Sequence, residues 1–231
     1  MSLLSALQSA SVRLIGRRPS TFFSATGVFE QKLTDLANEV ANDIMESEDW
    51  QVLTTIYNIV GDGVTENFPI PADFDGMILN SDIQNLQDWA WGYEHITDIN
   101  DFIFRRARGF QPFPGAWIIY GNQFQFTPAP AVGNSASFPY TSKYFATDNV
   151  GVPKAAFTLD TDLFRLPDRL LTLGLVWRYR ENEKLDYTGD MEAFQKAMDE
   201  YTNKDKGSQI IRRGRRLSGN FAYAYPWLLG S

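Results

Sequence analysis

A chain of 231 residues, 44% apolar and 21% charged, has the size and make-up of one sizeable globular domain or of a core with an inserted subdomain. It has no cysteine, which excludes disulfides, thiol nucleophiles and cysteine-bound metals, and no apolar run near the roughly 18 residues of a membrane span. The net charge of −7 is unevenly spread: residues 27–101 hold sixteen acids and one base, Lys32, whereas residues 1–26 hold three arginines and no acid, and residues 204–231 hold six bases and one acid.

In chain order, MSLLSALQSASVRLIGRRPSTFFSATG (1–27) has the arginine and serine content, and the lack of acid, of a transit peptide. The competing reading is a short amphipathic helix with Leu3, Leu4, Leu7 and Leu14 on one side. A secretory signal is disfavoured because the arginines follow the apolar part. Residues 28–48 predict a helix, since Phe29, Leu33, Leu36, Val40 and Ile44 recur at helical steps. Thr26 is the expected N-cap, Glu30 sits in the first turn, and Trp50 is the expected core plug where the helix ends.

The pattern then turns to strand. VLTTIYNIV (52–60) is β-branched and aromatic, GDG (61–63) is a turn signal, and VTENFPIP (64–71) alternates up to its prolines, which together predict a hairpin. GMILNS (76–81) predicts a further strand, and ITDINDFIFRRARG (96–109) a short helix ending near Gly109. In AWIIYGNQFQFTPAP (116–130) two β-rich runs flank Gly121-Asn122, the dipeptide of a two-residue turn. SFPYTSKYF (137–145) predicts another strand. Residues 52–147 thus read as an antiparallel β region.

Helix returns after LFRLPD (163–168), with Pro167 and Asp168 suited to a first turn. Leu170, Leu171, Leu175 and Trp177 mark one helix over 169–185. Met191, Phe194, Met198 and Tyr201 mark another over 190–206. The short DYTG link makes them antiparallel neighbours, and Lys204 and Lys206 fall at the negative end of the second. The expected fold is α+β: a helical bundle made from both ends of the chain, with an inserted antiparallel β region and an extended C-terminal tail. The expected boundaries are 1–50 for the N-terminal helices, 51–160 for the β insert, 161–206 for the helix pair and 207–231 for the tail.

Signals for covalent chemistry are thin. His95 is the single histidine and reads as a surface or packing residue, and no G-x-S-x-G motif occurs. Close acids (Asp73 with Asp75, Glu46 with Glu48 and Asp49, Asp160 with Asp162) could serve a glycosidase, but arise by chance in so acidic a chain. DFDG lacks the calcium-loop spacing, and GDG lacks the rest of a phosphate loop. Trp89, Trp91 and Tyr93, with Trp117, Tyr120, Phe124 and Phe126, read either as a sugar platform or, by strand alternation, as core. Arg105, Arg106 and Arg108 are either cations favoured at a helix C-terminus or a contact for an acidic neighbour, such as another copy of the chain.

The tail is the most specific feature. Arg212, Arg213, Arg215 and Arg216 are followed by Phe221, Tyr223, Tyr225, Trp227, Leu228 and Leu229. Such a segment cannot bury its own apolar surface, so the expectation is that it docks on a partner, arginines supplying charge-assisted bonds and aromatics the anchors. An acidic body argues against a sequence-specific DNA binder.

The order of parts resembles the head-to-tail adaptor (connector) proteins of tailed bacteriophages, including the tail tubular protein A class. The features that carry it are MESEDW closing the first helices, ENFPIPADFDG, WIIYGNQFQFTPAPA leading to a strand with KYF, the LPDRLLTLGLVWRYRENEKLDYTGDMEAFQKAMDEY helix pair, and the basic–aromatic tail. The likeness spans nearly the whole chain, and the order of these motifs carries it more than any single one.

The resemblance implies a virion protein of the head–tail junction, made in the host cytoplasm, with no catalysis and no cofactor. It implies a ring of about twelve copies under the portal protein. The tail would dock on the portal, and a downstream tail or nozzle protein would follow. Genomic DNA would pass through without sequence-specific binding and no membrane would be involved. An acidic lumen would let DNA slide without sticking. On this reading the body folds alone and residues 207–231 order only on the portal. The competing reading is a carbohydrate-binding or glycoside-cleaving tail module.

Overall fold

A computed structural model describes residues 2–78, 81–85, 92–109 and 115–205. In chain order its elements are α1 (Leu3–Ile15), α2 (Val28–Glu46), β1 (Thr54–Val60), β2 (Asn67–Pro69), β3 (Phe74–Met77), β4 (Gln84–Asn85), β5 (Glu94–His95), α3 (Ile99–Arg108), β6 (Ala116–Tyr120), β7 (Gln123–Thr127), β8 (Ser135–Ser142), β9 (Ala146–Thr147), β10 (Pro153–Lys154), β11 (Leu163–Phe164), α4 (Asp168–Asn182) and α5 (Thr188–Asp205). The fold is mixed α+β. Among the described residues no helix is long and apolar enough to cross a membrane. The described chain divides into two compact units, residues 2–54 with 141–205, and residues 55–140.

The first unit is helical, and α4 is its hub. The whole run Leu170–Val176 is buried, because α1, α2 and α5 all pack on α4. That is why α4 shows no clean amphipathic stripe in sequence: a helix covered on several sides has no polar face to spare. Leu33, Leu36, Val40 and Ile44 of α2 meet it, as their spacing predicts, with Leu3 and Leu7 of α1. At Gly174 an added Cβ would collide with Val40 Cγ1 and come within 3.3 Å of Phe194, so glycine lets α2 and α5 approach α4.

The start of α2 differs from expectation. Its N-cap is Gly27, not Thr26, and Glu30 folds its carboxylate back over Gly27 into the space a side chain there would need. An acid three residues into a helix favours this position, so the glycine fits where threonine was expected. Trp50 plugs the far end of α2, 2% exposed, its indole donating to the Ile44 carbonyl at 2.8 Å.

β9, β10 and β11 form a small antiparallel sheet on this core, and Phe145, Phe157 and Phe164 pack edge to face beside it. Asn38 clasps the segment to α2, its side chain accepting from Phe157 N at 2.7 Å and donating to Phe157 O.

The second unit has two sheets. One runs β1-β8-β3 with β4 also on β8; the other runs β2-β7-β6-β5. Both supply one aromatic cluster: Ile59, Phe138 and Tyr140 from the first, Trp117, Phe124 and Phe126 from the second. Phe124 and Phe138 meet with ring centroids 4.7 Å apart. The β6–β7 hairpin turns at Gly121 and Asn122, with φ of 60° and 59°, as the dipeptide predicts. β5 pairs with β6 in parallel, an exception to the antiparallel expectation.

The hairpin expected at 61–63 does not form. β1 pairs with β8 and β2 with β7, so the two runs belong to different sheets. Gly61–Gly63 instead lies against the 130–134 loop: Gly61 N donates to Asn134 O at 2.7 Å, and Gly63 N to Pro130 O at 2.9 Å. Asp62 caps the following turn, and its bonds from the Thr65 hydroxyl and the Thr65 and Val64 amides pull its pKa down to about 2. The glycines mark a close backbone approach as well as a change of direction.

Candidate functional site

α3 carries the basic cluster flagged in the body. Asp98 caps it by accepting from Asn100 N at 2.8 Å, and Gly109 ends it at φ 66°. Phe102 anchors the inner face, fully buried with Ile96, Ala116 and Ile118. The outer face exposes Ile103 and Phe104 beside the arginines.

Those arginines are largely engaged within the chain. Arg105 bonds Glu94 Oε1 and Asp101 Oδ2, each at 3.0 Å, and Asp101 and then Glu94 hold the guanidinium above its ordinary pKa. Arg106 pairs with Glu66. Arg108 lies over the Phe104 ring at 5.0 Å and makes no ion pair among the described residues. Of the three, Arg108 keeps the most charge for an outside partner. The tail residues Arg212, Arg213, Arg215, Arg216, Phe221, Tyr223, Tyr225, Trp227 and Leu228 lie outside the described residues.

Arg13, Arg17 and Arg18 were not singled out from the sequence. All three are exposed at the end of α1 and in the loop after it, with no partner among the described residues. The absence of any acid in residues 1–26 was the signal for them, since no local carboxylate was there to neutralise them.

The paired acids hold the chain in place. Asp160 accepts from Phe22 N and Phe23 N. Asp162 is fully buried and bonds Lys154 Nζ at 2.7 Å and Thr158 N at 2.7 Å. Asp73 accepts from the Tyr140 hydroxyl at 2.9 Å. Burial pushes the Asp168 carboxyl above the usual range, at a cleft of about 450 Å³ between α1, α4 and α5. Arg13, Arg169 and Tyr201 share that cleft, and among the described residues no second acid lines it. The two-carboxylate arrangement of a glycosidase is therefore not met there.

His95 is exposed and stacks on Trp117 with ring centroids 4.2 Å apart. Trp117, Phe124 and Phe126 are 2%, 0% and 0% exposed. They form core, which removes them from any sugar platform; Tyr120 is half-buried, and Trp89 and Trp91 lie outside the described residues.

What the surface offers is charge. Lone arginines stand at the end of α1 and just after it, and acids line the outer side of α2, where Asp35, Glu39, Asp43 and Glu46 are exposed. Arg178 answers part of that row, bonding Asp43 at 2.8 Å and approaching Glu39 at 3.8 Å. Such surfaces suit non-covalent assembly. The family model described as SU10 adaptor protein matches residues 1–219. No curated protein matches the chain.

Proposed function

Since this chain belongs to the SU10 adaptor protein family, we propose that it is a structural head-to-tail adaptor of a tailed phage particle, in the manner of the tail tubular protein A class. It sits between the portal protein and a downstream tail or nozzle protein. About twelve copies form a ring, the closed assembly that repeated head-to-tail contacts build when their rotation closes. Genomic DNA passes through the ring without sequence-specific contacts. No catalytic step and no cofactor is assigned to it.

The observation that carries this reading is the extent of the family match: it takes in both folded units and continues through Arg212, Arg213, Arg215 and Arg216. In this proposal the arginines grip an acidic portal surface, while Phe221, Tyr223, Tyr225, Trp227 and Leu228, beyond the matched residues, seat as apolar anchors. Arg108 is the α3 residue best placed to reach a neighbouring copy. The acid-rich stretch 27–101 fits a DNA channel, because like charge opposes counterion-release binding.

The test is co-sedimentation with purified portal of the full chain, a truncation ending at Lys206 and one ending at Asn220, with ring images by negative stain. Binding and ring formation by the full chain, lost on truncation at Lys206, support the reading. The Asn220 truncation separates arginine grip from aromatic anchoring. A full chain that does not bind intact portal overturns it.

A further inference from the structure

We propose that the arginines at the end of α1 and just after it, and the acid row of α2, are the two halves of one copy-to-copy interface. This rests on the ring reading above and names the surface by which the ring closes.

The basic half is Arg13, Arg17 and Arg18. Each is exposed, and none has an ion-pair or hydrogen-bond partner among the described residues. Three unmatched cations within six positions repel one another and gain nothing from the isolated copy. The acidic half is regular. At 100° per residue, Asp35, Glu39 and Glu46 fall within about 40° of one another around α2, with Asp43 on the flank of the row, and the row runs about 16 Å along the axis. Among the described residues one cation, Arg178, answers it, and that guanidinium is already shared with Glu181 at 3.1 Å. Asp35 and Glu46 have no partner among the described residues. Like charges at i,i+4 spacing weaken a helix. Both halves are thus unfavourable in a single copy and complementary between two.

The fold keeps them apart in one copy. α1 and α2 each pack on α4 and touch one another only slightly, and no ion pair joins Arg13, Arg17 or Arg18 to an α2 acid. Because the two halves are different surfaces, each copy offers one to the neighbour ahead and the other to the neighbour behind. Such a heterologous contact builds a ring when its rotation closes, whereas a self-complementary patch stops at a dimer.

The test is charge exchange in the full chain. One variant carries Arg13→Glu, Arg17→Glu and Arg18→Glu; the other carries Asp35→Lys, Glu39→Lys and Glu46→Lys. All six positions are exposed, so both variants should keep the helical circular dichroism of the wild type. Self-association is followed by sedimentation velocity.

The wild type should associate at about 0.1 M salt and dissociate at about 1 M, as the Debye length falls from about 10 Å to about 3 Å. Each variant alone should associate about tenfold or more weakly. An equimolar mixture should recover association, because the reversed half of one variant meets the reversed half of the other, and native meets native, with opposite charges in both contacts. A wild type that stays monomeric at low salt, a variant that associates normally, or a mixture without recovery overturns the interface. Duplex DNA bound by the wild type and lost in the arginine variant, with association unchanged, would assign the arginines to DNA instead. Portal co-sedimentation of the wild type is independent of these results, so the interface can fail while the adaptor reading stands.

Discussion

Lys154 Nζ lies 2.7 Å from Asp162 Oδ2, and the carboxylate it meets has no exposed surface. The same oxygen accepts from Thr158 N and Leu159 N, while the Asp162 carbonyl accepts from Leu3 N at 2.8 Å. One buried aspartate thus organises the 157–163 turn and, through its backbone, the start of α1.

Burial pushes the Asp162 carboxyl upward, but the bonds from Lys154, Thr158 and Leu159 outweigh it and hold the pKa below the usual range. A depressed folded pKa gives stability that is complete above the unfolded value of about 3.9 and is lost as pH falls through the folded value. Asp162→Asn should cost about 3 kcal/mol at neutral pH, because it leaves Lys154 beside a turn that no longer answers its charge. It should also shallow the acid limb of the stability profile. Urea unfolding from pH 7 down to pH 3 checks both; an unchanged midpoint at pH 7 contradicts the assignment.

Gly174 gives a prediction whose sign opposes helix propensity. In an exposed helix, glycine to alanine gains up to about 1 kcal/mol. Here the new methyl meets Val40 Cγ1 and Phe194, so Gly174→Ala should cost about 1–3 kcal/mol as overpacking. Adding Val40→Ala opens the space, so the pair should be less destabilised than the sum of the single variants. Chemical unfolding of the four proteins in the double-mutant cycle measures that coupling. Additive effects would mean that α2 does not press on Gly174.

How much of this was legible depended on whether the deciding contact was local. The α2 stripe could be read because Leu33, Leu36, Val40 and Ile44 all face one neighbour. The 116–127 hairpin could be read because Gly121-Asn122 supplies both positive φ values itself. The 61–63 turn misled because a glycine shows that the backbone bends or comes close, not which strand it then meets. The partner of β1 is β8, some eighty residues on. The partners of Arg105 and Arg106 were likewise not legible, because Glu94 and Glu66 reach them only in the fold. Arg13, Arg17 and Arg18 are marked in the sequence by the acid-free start alone.

Gly61 tests the closure of the β-rich unit. An added Cβ there would strike the Pro130 and Ala131 carbonyls, which are backbone atoms and cannot swing aside. Gly61→Ala should therefore break the bonds from Gly61 N to Asn134 O and from Gly133 N to Gly61 O, at a cost of about 2 kcal/mol. Hydrogen exchange should rise at the Gly61 and Gly133 amides while the amides of α4 stay protected. Uniform loss of protection across both units would show that the substitution acts globally.

Arg105 and Arg108, three residues apart, should behave oppositely. Arg105 ties α3 to β5, with Asp101 on one side and Glu94 on the other, so Arg105→Gln should lower the thermal midpoint. Arg108 lies over the Phe104 ring and makes no ion pair among the described residues, so Arg108→Gln should leave that midpoint unchanged. If Arg108 is the α3 contact to a neighbouring copy, the ranking inverts for assembly. Arg108→Gln should weaken self-association in sedimentation velocity without any change in folding, while Arg105→Gln weakens it only in step with its lower midpoint. Melting curves and sedimentation on the same two preparations decide this. An Arg108→Gln protein with wild-type association would leave the α3 arginines with an internal role alone, of which Arg105 and Arg106 carry nearly all.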